Sequence, residues 1–145
     1  MTGSEKVALV GRIEPQLAVP ATYLSGAVDL SKFESIMAIV DVGTMVATST
    51  VNAKLVQAVT SGGSYKDVTG KSITALTAAG VDDNKQAIIN CRAEELDIAN
   101  GYRFVKLSAT VAVANTGLAG TVLGHNPKYG PASDNDAATV DEIVS

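Results

Sequence analysis

Asn100-Gly101-Tyr102-Arg103-Phe104-Val105-Lys106-Leu107-Ser108-Ala109-Thr110-Val111-Ala112-Val113 is the stretch that decides the fold class. From Arg103 onward, Arg103, Val105, Leu107, Ala109, Val111 and Val113 fall on one side of a two-residue repeat, and Lys106, Ser108 and Thr110 on the other. A period of two is that of a strand with one buried face, because successive Cβ atoms point to opposite sides of the sheet. Asn100-Gly101 in front of it is the strongest turn signal in the chain. Both residues tolerate the positive φ that a tight hairpin turn requires. Lys85–Asp97 before the turn alternates as well, with Ala87, Ile89, Cys91 and Ala93 on one face. The two runs therefore read as a hairpin.

Working outward, Val51–Val59 alternates and Ser61-Gly62-Gly63-Ser64 turns it towards a returning partner at Tyr65–Thr69. Ile36-Met37-Ala38-Ile39-Val40 is an apolar run too short and too β-branched for a helix, and it reads as a buried strand ending near Val42. Ser31 and Glu34 match a helix capping box, which allows one helical turn at most before it. Ser72–Ala79 is open between a short helix and a strand. Thr121–Leu123 opens the last strand, which stops at Asn126-Pro127. About seven short strands punctuated by turns predict an antiparallel β-sandwich or jelly roll spanning residues 31–131. Residues 1–30, broken by Pro15 and Pro20, read as an extended arm or a peripheral strand. Residues 132–145 read as a polar acidic tail.

At 145 residues the chain is one domain with enough apolar content (46%) for a core that needs neither disulfide nor metal. Its formal net charge of −4 and its scattered Lys and Arg argue against nucleic-acid binding, which demands neutralised phosphates. No basic segment followed by an apolar run opens the chain, and no apolar run approaches membrane-spanning length. The expectation is a soluble protein made in a reducing cytoplasm, without a membrane partner. Cys91, the single cysteine, sits in an apolar strand pattern and reads as a buried, inert thiol.

Groups that could carry chemistry are few. Gly70-Lys71-Ser72 is the end of a phosphate-binding loop, but the first glycine of that loop would fall at Tyr65. Glu94, Glu95 and Asp97 form the densest acidic cluster, and paired carboxylates can act as acid and base. Arg92 and Glu94 lie two apart on one strand face, the spacing of a structural ion pair. Asp134-Asn135-Asp136 with Asp141-Glu142 lacks the glycine and the glutamate spacing of a calcium loop. His125, the one imidazole, is read as a turn residue. Catalytic, metal and cofactor sites are therefore expected to be absent.

Val51-Asn52-Ala53-Lys54-Leu55, Tyr65-Lys66-Asp67-Val68-Thr69-Gly70-Lys71, Asn84-Lys85-Gln86-Ala87-Ile88-Ile89-Asn90, Arg92-Ala93-Glu94-Glu95-Leu96-Asp97 and Leu123-Gly124-His125-Asn126-Pro127-Lys128-Tyr129-Gly130-Pro131 resemble small structural proteins of tailed bacteriophages, and specifically head decoration (cement) proteins. The resemblance covers most of the chain after about Phe33. It implies a non-enzymatic homo-oligomer, a trimer by preference, assembled in the host cytoplasm. Such an oligomer binds the major capsid protein on the outside of the expanded head and holds the shell against the pressure of packaged DNA. The alternatives are a tail or head–tail joining protein and, more remotely, a small enzyme using Gly70-Lys71-Ser72 or Glu94/Glu95/Asp97. The partner-facing residues are expected in the first thirty (Leu9, Ile13, Leu17, Tyr23) and in the loop carrying Pro127, Tyr129 and Pro131.

Overall fold

A computed structural model describes residues 1–144. It contains ten strands: β1 Val7–Ala18, β2 Ala21–Leu24, β3 Val28–Asp29, β4 Phe33–Met45, β5 Thr50–Ala58, β6 Lys66–Ser72, β7 Leu76–Thr77, β8 Gln86–Arg92, β9 Phe104–Ala112 and β10 Thr116–Pro127. With the two-residue β3 and β7 set aside, the other eight form one long antiparallel ribbon. β1 pairs with β10, β2 with β9, β4 with β8, and β5 with β6. The ribbon is rolled so that β10 also lies against β4 and β9 against β5. The result is two sheets, β1-β10-β4-β8 (sheet A) and β2-β9-β5-β6 (sheet B), with β3 and β7 added to sheet B. This is a jelly roll, the antiparallel sandwich that the alternation predicts.

The sheets meet through the inward rows of their central strands. Val40, Val42 and Val122 of sheet A face Leu55, Leu107 and Val111 of sheet B, all of them buried. Small β-branched side chains dominate, which suits the pleated surfaces they fill. Two inward positions of β10 carry no side chain at all. A Cβ on Gly120 would lie 3.0 Å from Leu107 Cδ2 and 3.2 Å from Ile13, and one on Gly124 would lie 2.7 Å from the Phe33 ring. These glycines leave room for the large residues opposite.

Residues 7–18 and 21–24, within the stretch read as arm or peripheral strand, enter sheets A and B as edge strands. β1 is irregular between Leu9 and Gly11 and between Ile13 and Gln16. Pro15 lies in the second irregularity, on an edge where no ladder donor is required. The tail segment docks on the same edge. Leu9 N–H donates to Asp136 Oδ1 at 2.8 Å, Ala137 N–H donates to Leu9 O at 2.7 Å, and Ala132 is fully buried.

Several local expectations need correction. Asn100-Gly101 turns the chain but makes no hairpin. β8 pairs with β4 and β9 with β5, in different sheets, and of the two turn residues only Gly101 (φ +80°) is left-handed. The strand expected to reach Asp97 ends at Arg92 and continues as two 3-10 turns, Ala93–Glu95 and Ile98–Asn100. Ser31 caps no helix. Its N–H donates to Asp29 Oδ1 and β4 starts two residues later. The last strand begins at Thr116 rather than Thr121, and His125 is a strand residue of β10, not a turn residue. Ser72–Ala79 resolves as the end of β6 and the short β7.

Candidate interaction surface

The polar groups singled out in the sequence are brought together, but as a clasp. Lys71 Nζ lies 2.9 Å from Glu95 Oε1, Lys66 Nζ 2.6 Å from Asp97 Oδ2, and Arg92 3.3 Å from Glu94. Lys66 also stands over the Tyr102 ring at 4.1 Å. The two lysine pairs tie β6 of sheet B to the turns that follow β8 of sheet A, across the open side of the sandwich, while Arg92–Glu94 lies within the β8 side. The Arg92 N–H donates to Glu95 at 2.7 Å, and this bond, then the Lys71 ammonium, holds the Glu95 carboxyl below the ordinary range. Gly70-Lys71-Ser72 runs within a strand, so its N–H groups do not converge as a phosphate cradle does.

An open depression of about 690 Å³ is lined by Lys71, Glu95, Arg92, Cys91 and His125, the only Cys and His of the chain. Its charged groups already have partners, and Cys91 is buried. Burial, and next the Glu95 carboxylate, push that thiol from 9.0 up to about 11 against the pull of Lys71. The neutral thiol is thus the form the fold favours. Its contribution to stability is complete below about pH 9 and is lost as the pH rises towards about 11. At about pH 8, where a free cysteine labels readily, a thiol reagent is expected to modify Cys91 only at the rate of unfolding. Fast stoichiometric labelling of native protein would contradict this. No group of three or more His, Cys, Asp or Glu positioned to hold a metal ion occurs among the described residues. Asp136 caps the β1 edge instead of joining a calcium loop.

The expected contact residues fall in different places. Ile13 is 3% exposed and belongs to the core, so it offers nothing to a partner. Leu9 and Tyr23 are half-buried, and the Tyr23 hydroxyl donates to Val19 O at 2.8 Å. Pro127, half-buried, ends β10. Tyr129 and Pro131 beyond it are exposed, at the opposite end of the sandwich from Leu17.

At the Leu17 end the structure adds what the sequence reading missed. The β1–β2, β4–β5, β7–β8 and β9–β10 connections all emerge there, because Ala18 pairs with Thr116, Thr116 with Met45, and Thr50 with both Ala112 and Thr77. The loops hold one another. Val46 N–H donates to Asn115 O (3.0 Å), Ala78 N–H to Ser49 O (3.0 Å), Met45 N–H to Asp83 Oδ2 (3.0 Å) and Asn84 N–H to Gly43 O (3.1 Å). On this braced platform Leu17, Val19, Val46, Val81 and Val113 stand in solvent. Val81 has φ +58° and Val113 φ +73°, and they are 73% and 70% exposed. A β-branched residue in the left-handed region is a true outlier. Glycine or asparagine would suit either position better, and the fold gains no burial from either valine. Strained residues that contribute nothing to the core are a mark of a functional surface. The opposite end also exposes Val59, Ile98 and Tyr129, but none of these has a left-handed backbone. Gly80-Val81-Asp82-Asp83-Asn84 did hold a signal, an apolar residue inside an otherwise polar turn.

No family model matches the chain, and no curated protein matches it. Among solved structures it is similar to a chain of the cryo-EM structure of Broad Bean Stain Virus, at 9% identity and a TM-score of 0.49, covering 90% of this chain and 93% of that one. It is also similar to chains of infectious bursal disease virus, Gx strain (14% identity, TM-score 0.46, 88% and 34% covered) and Gt strain (12%, 0.43, 88% and 33%). This chain thus spans about a third of the bursal disease virus chains. At these identities the likeness concerns the fold alone.

Proposed function

We propose that this protein is a structural component of a virus particle, a decoration protein of a tailed-phage head that binds the outer surface of the expanded shell and stabilises it against internal pressure. The observation that carries the reading is the loop end, where two exposed valines keep left-handed conformations on a hydrogen-bonded platform. A rigid apolar tip is suited to a crevice between subunits, because little conformational entropy is lost on docking. The resemblance of five segments to decoration proteins supplies the partner, the major capsid protein. Jelly rolls serve many purposes, so the fold supports the reading without selecting it. The ion pairs around Lys71 and Glu95 have structural work that accounts for them, which weighs against an enzyme.

A modest contact repeated over a shell gains from effective concentration when one oligomer bridges several subunits. The reading is tested by heating DNA-filled heads with and without the protein. Decorated heads are expected to retain DNA to a higher temperature. Equal release from both would contradict the stabilising role.

A further inference from the structure

The outward faces of the two sheets differ in a way the sandwich itself does not require. Sheet B presents mainly polar residues to solvent, with Leu24 at its β2 margin as the exposed apolar exception. Thr22 and Thr110 share a hydrogen bond at 3.0 Å, and Lys54 pairs with Asp67 at 2.7 Å. Sheet A presents apolar ones. Its register aligns Leu9, Leu123, Met37 and Asn90 in one outward row and Arg12, Thr121, Ile39 and Ile88 in the next. Ile88 is 56% exposed. The only charge in these two rows, Arg12, lies at the β1 margin beside Glu14. A sheet with one solvated face normally alternates apolar inside with polar outside, and unbroken apolar strands belong to sheets covered on both faces. The run Ile36-Met37-Ala38-Ile39-Val40 is of the second kind.

We infer that a second copy of this chain covers sheet A, face to face, about a two-fold axis that crosses the strands between Met37 and Ile39. The argument for a second copy is complementarity of the face with itself. An axis lying in the interface and perpendicular to the strands sets β4 over β4 with its direction reversed, so Met37 of one copy meets Ile39 of the other. The two apolar rows then cover each other. One outer row holds Ser35, His125 and Arg92, and the other holds Asp41 and Gln86. The same axis lays each over the other, with Ser35 facing Asp41 and Arg92 within reach of it. A parallel overlay would set like charges together. Strands ~4.8 Å apart and same-face rows ~6.8 Å apart make a face of roughly 20 by 26 Å in plan. With side-chain relief this approaches the ~800 Å² per partner of a standard interface.

The inference stands apart from the proposed function, because it holds wherever in a particle the protein acts. It also differs from the threefold oligomer that the resemblance implies. Sedimentation equilibrium of the purified full chain tests it. The wild-type protein is expected at twice the chain mass of 14.8 kDa. Ile39→Lys is expected to weaken association by roughly a hundredfold or more, since it sets an unpaired ammonium in the interface centre. Asp41→Arg is expected to weaken it too, and the double variant Asp41→Arg/Arg92→Asp to restore it, which no mere loss of folding would do. A monomer at the highest soluble concentration would overturn the inference. So would a trimer, or an oligomer indifferent to Ile39→Lys. Monomers whose shell binding is abolished by Ile39→Lys would assign the face to the capsid instead, and would overturn it equally.

Discussion

Phe33→Ala is expected to destabilise the fold by about 3–5 kcal/mol, the range for removing a buried phenylalanine. At ~2–4 °C per kcal/mol for a chain of this size, the melting temperature should fall by roughly 6–20 °C. Phe33 is 2% exposed at the start of β4, and its ring fills the space that Gly124 of β10 leaves open. Gly124→Ala attacks the same contact from the other side. Its methyl group would sit 2.7 Å from two ring carbons, in a core with no slack to absorb it, and a loss of about 1–3 kcal/mol is expected from such overpacking. The decisive result is the double variant. Once the ring is gone the new methyl enters vacant space, so Phe33→Ala/Gly124→Ala should lose little more than Phe33→Ala alone, with a coupling of ~1–3 kcal/mol by denaturant titration. Simple additivity would show that ring and glycine do not share one space.

The second large effect is expected where stability is not at stake. Val81→Asn and Val113→Asn each replace an exposed β-branched residue in a left-handed conformation with one that tolerates it. The variants should be as stable as the wild type or more so, by up to ~1 kcal/mol each. Their affinity for shells should nevertheless fall by roughly tenfold or more, since apolar anchors at the centre of a contact carry most of its energy. Better stability with lost binding would separate the surface role of these valines from any structural one. Lower stability with unchanged binding would mean that they hold the loops together, and the loop end would no longer be the candidate surface.

Strand patterning made the sandwich legible, and the reasons are local. Val105, Leu107, Ala109 and Val111 alternate cleanly because β9 is central to its sheet and has a solvated outer face. Pairing was not legible. The Asn100-Gly101 turn is genuine, but the alternation of β8 and β9 cannot say whether two neighbouring strands lie in one sheet or opposite ones, and in a jelly roll nearly every connection crosses over. Glu95 misled by ending a pattern that resembled a strand, when it reaches back to the Arg92 N–H and closes a 3-10 turn. The proposed contact surface was legible in part. Leu17 announced itself as an apolar residue next to prolines. Val46, Val81 and Val113 come from three separate loops that become neighbours only when the ribbon rolls up, and the positive φ of two of them has no signature in their own identity. Ile13 was mistaken for surface because the irregularity between Leu9 and Gly11 shifts the inward positions of β1 from Ala8 to Gly11 and Ile13.

The central claim is that this chain recognises a mature shell with its loop end. The most direct measurement is co-sedimentation of the purified protein with expanded, protein-stripped capsids of the phage that the proposed function assigns it to, with unexpanded shells alongside. Saturable binding to expanded shells alone, lost in Val81→Asn/Val113→Asn, is the expected result. Absence of binding to either shell would contradict the account and move the protein to the tail or the head–tail junction.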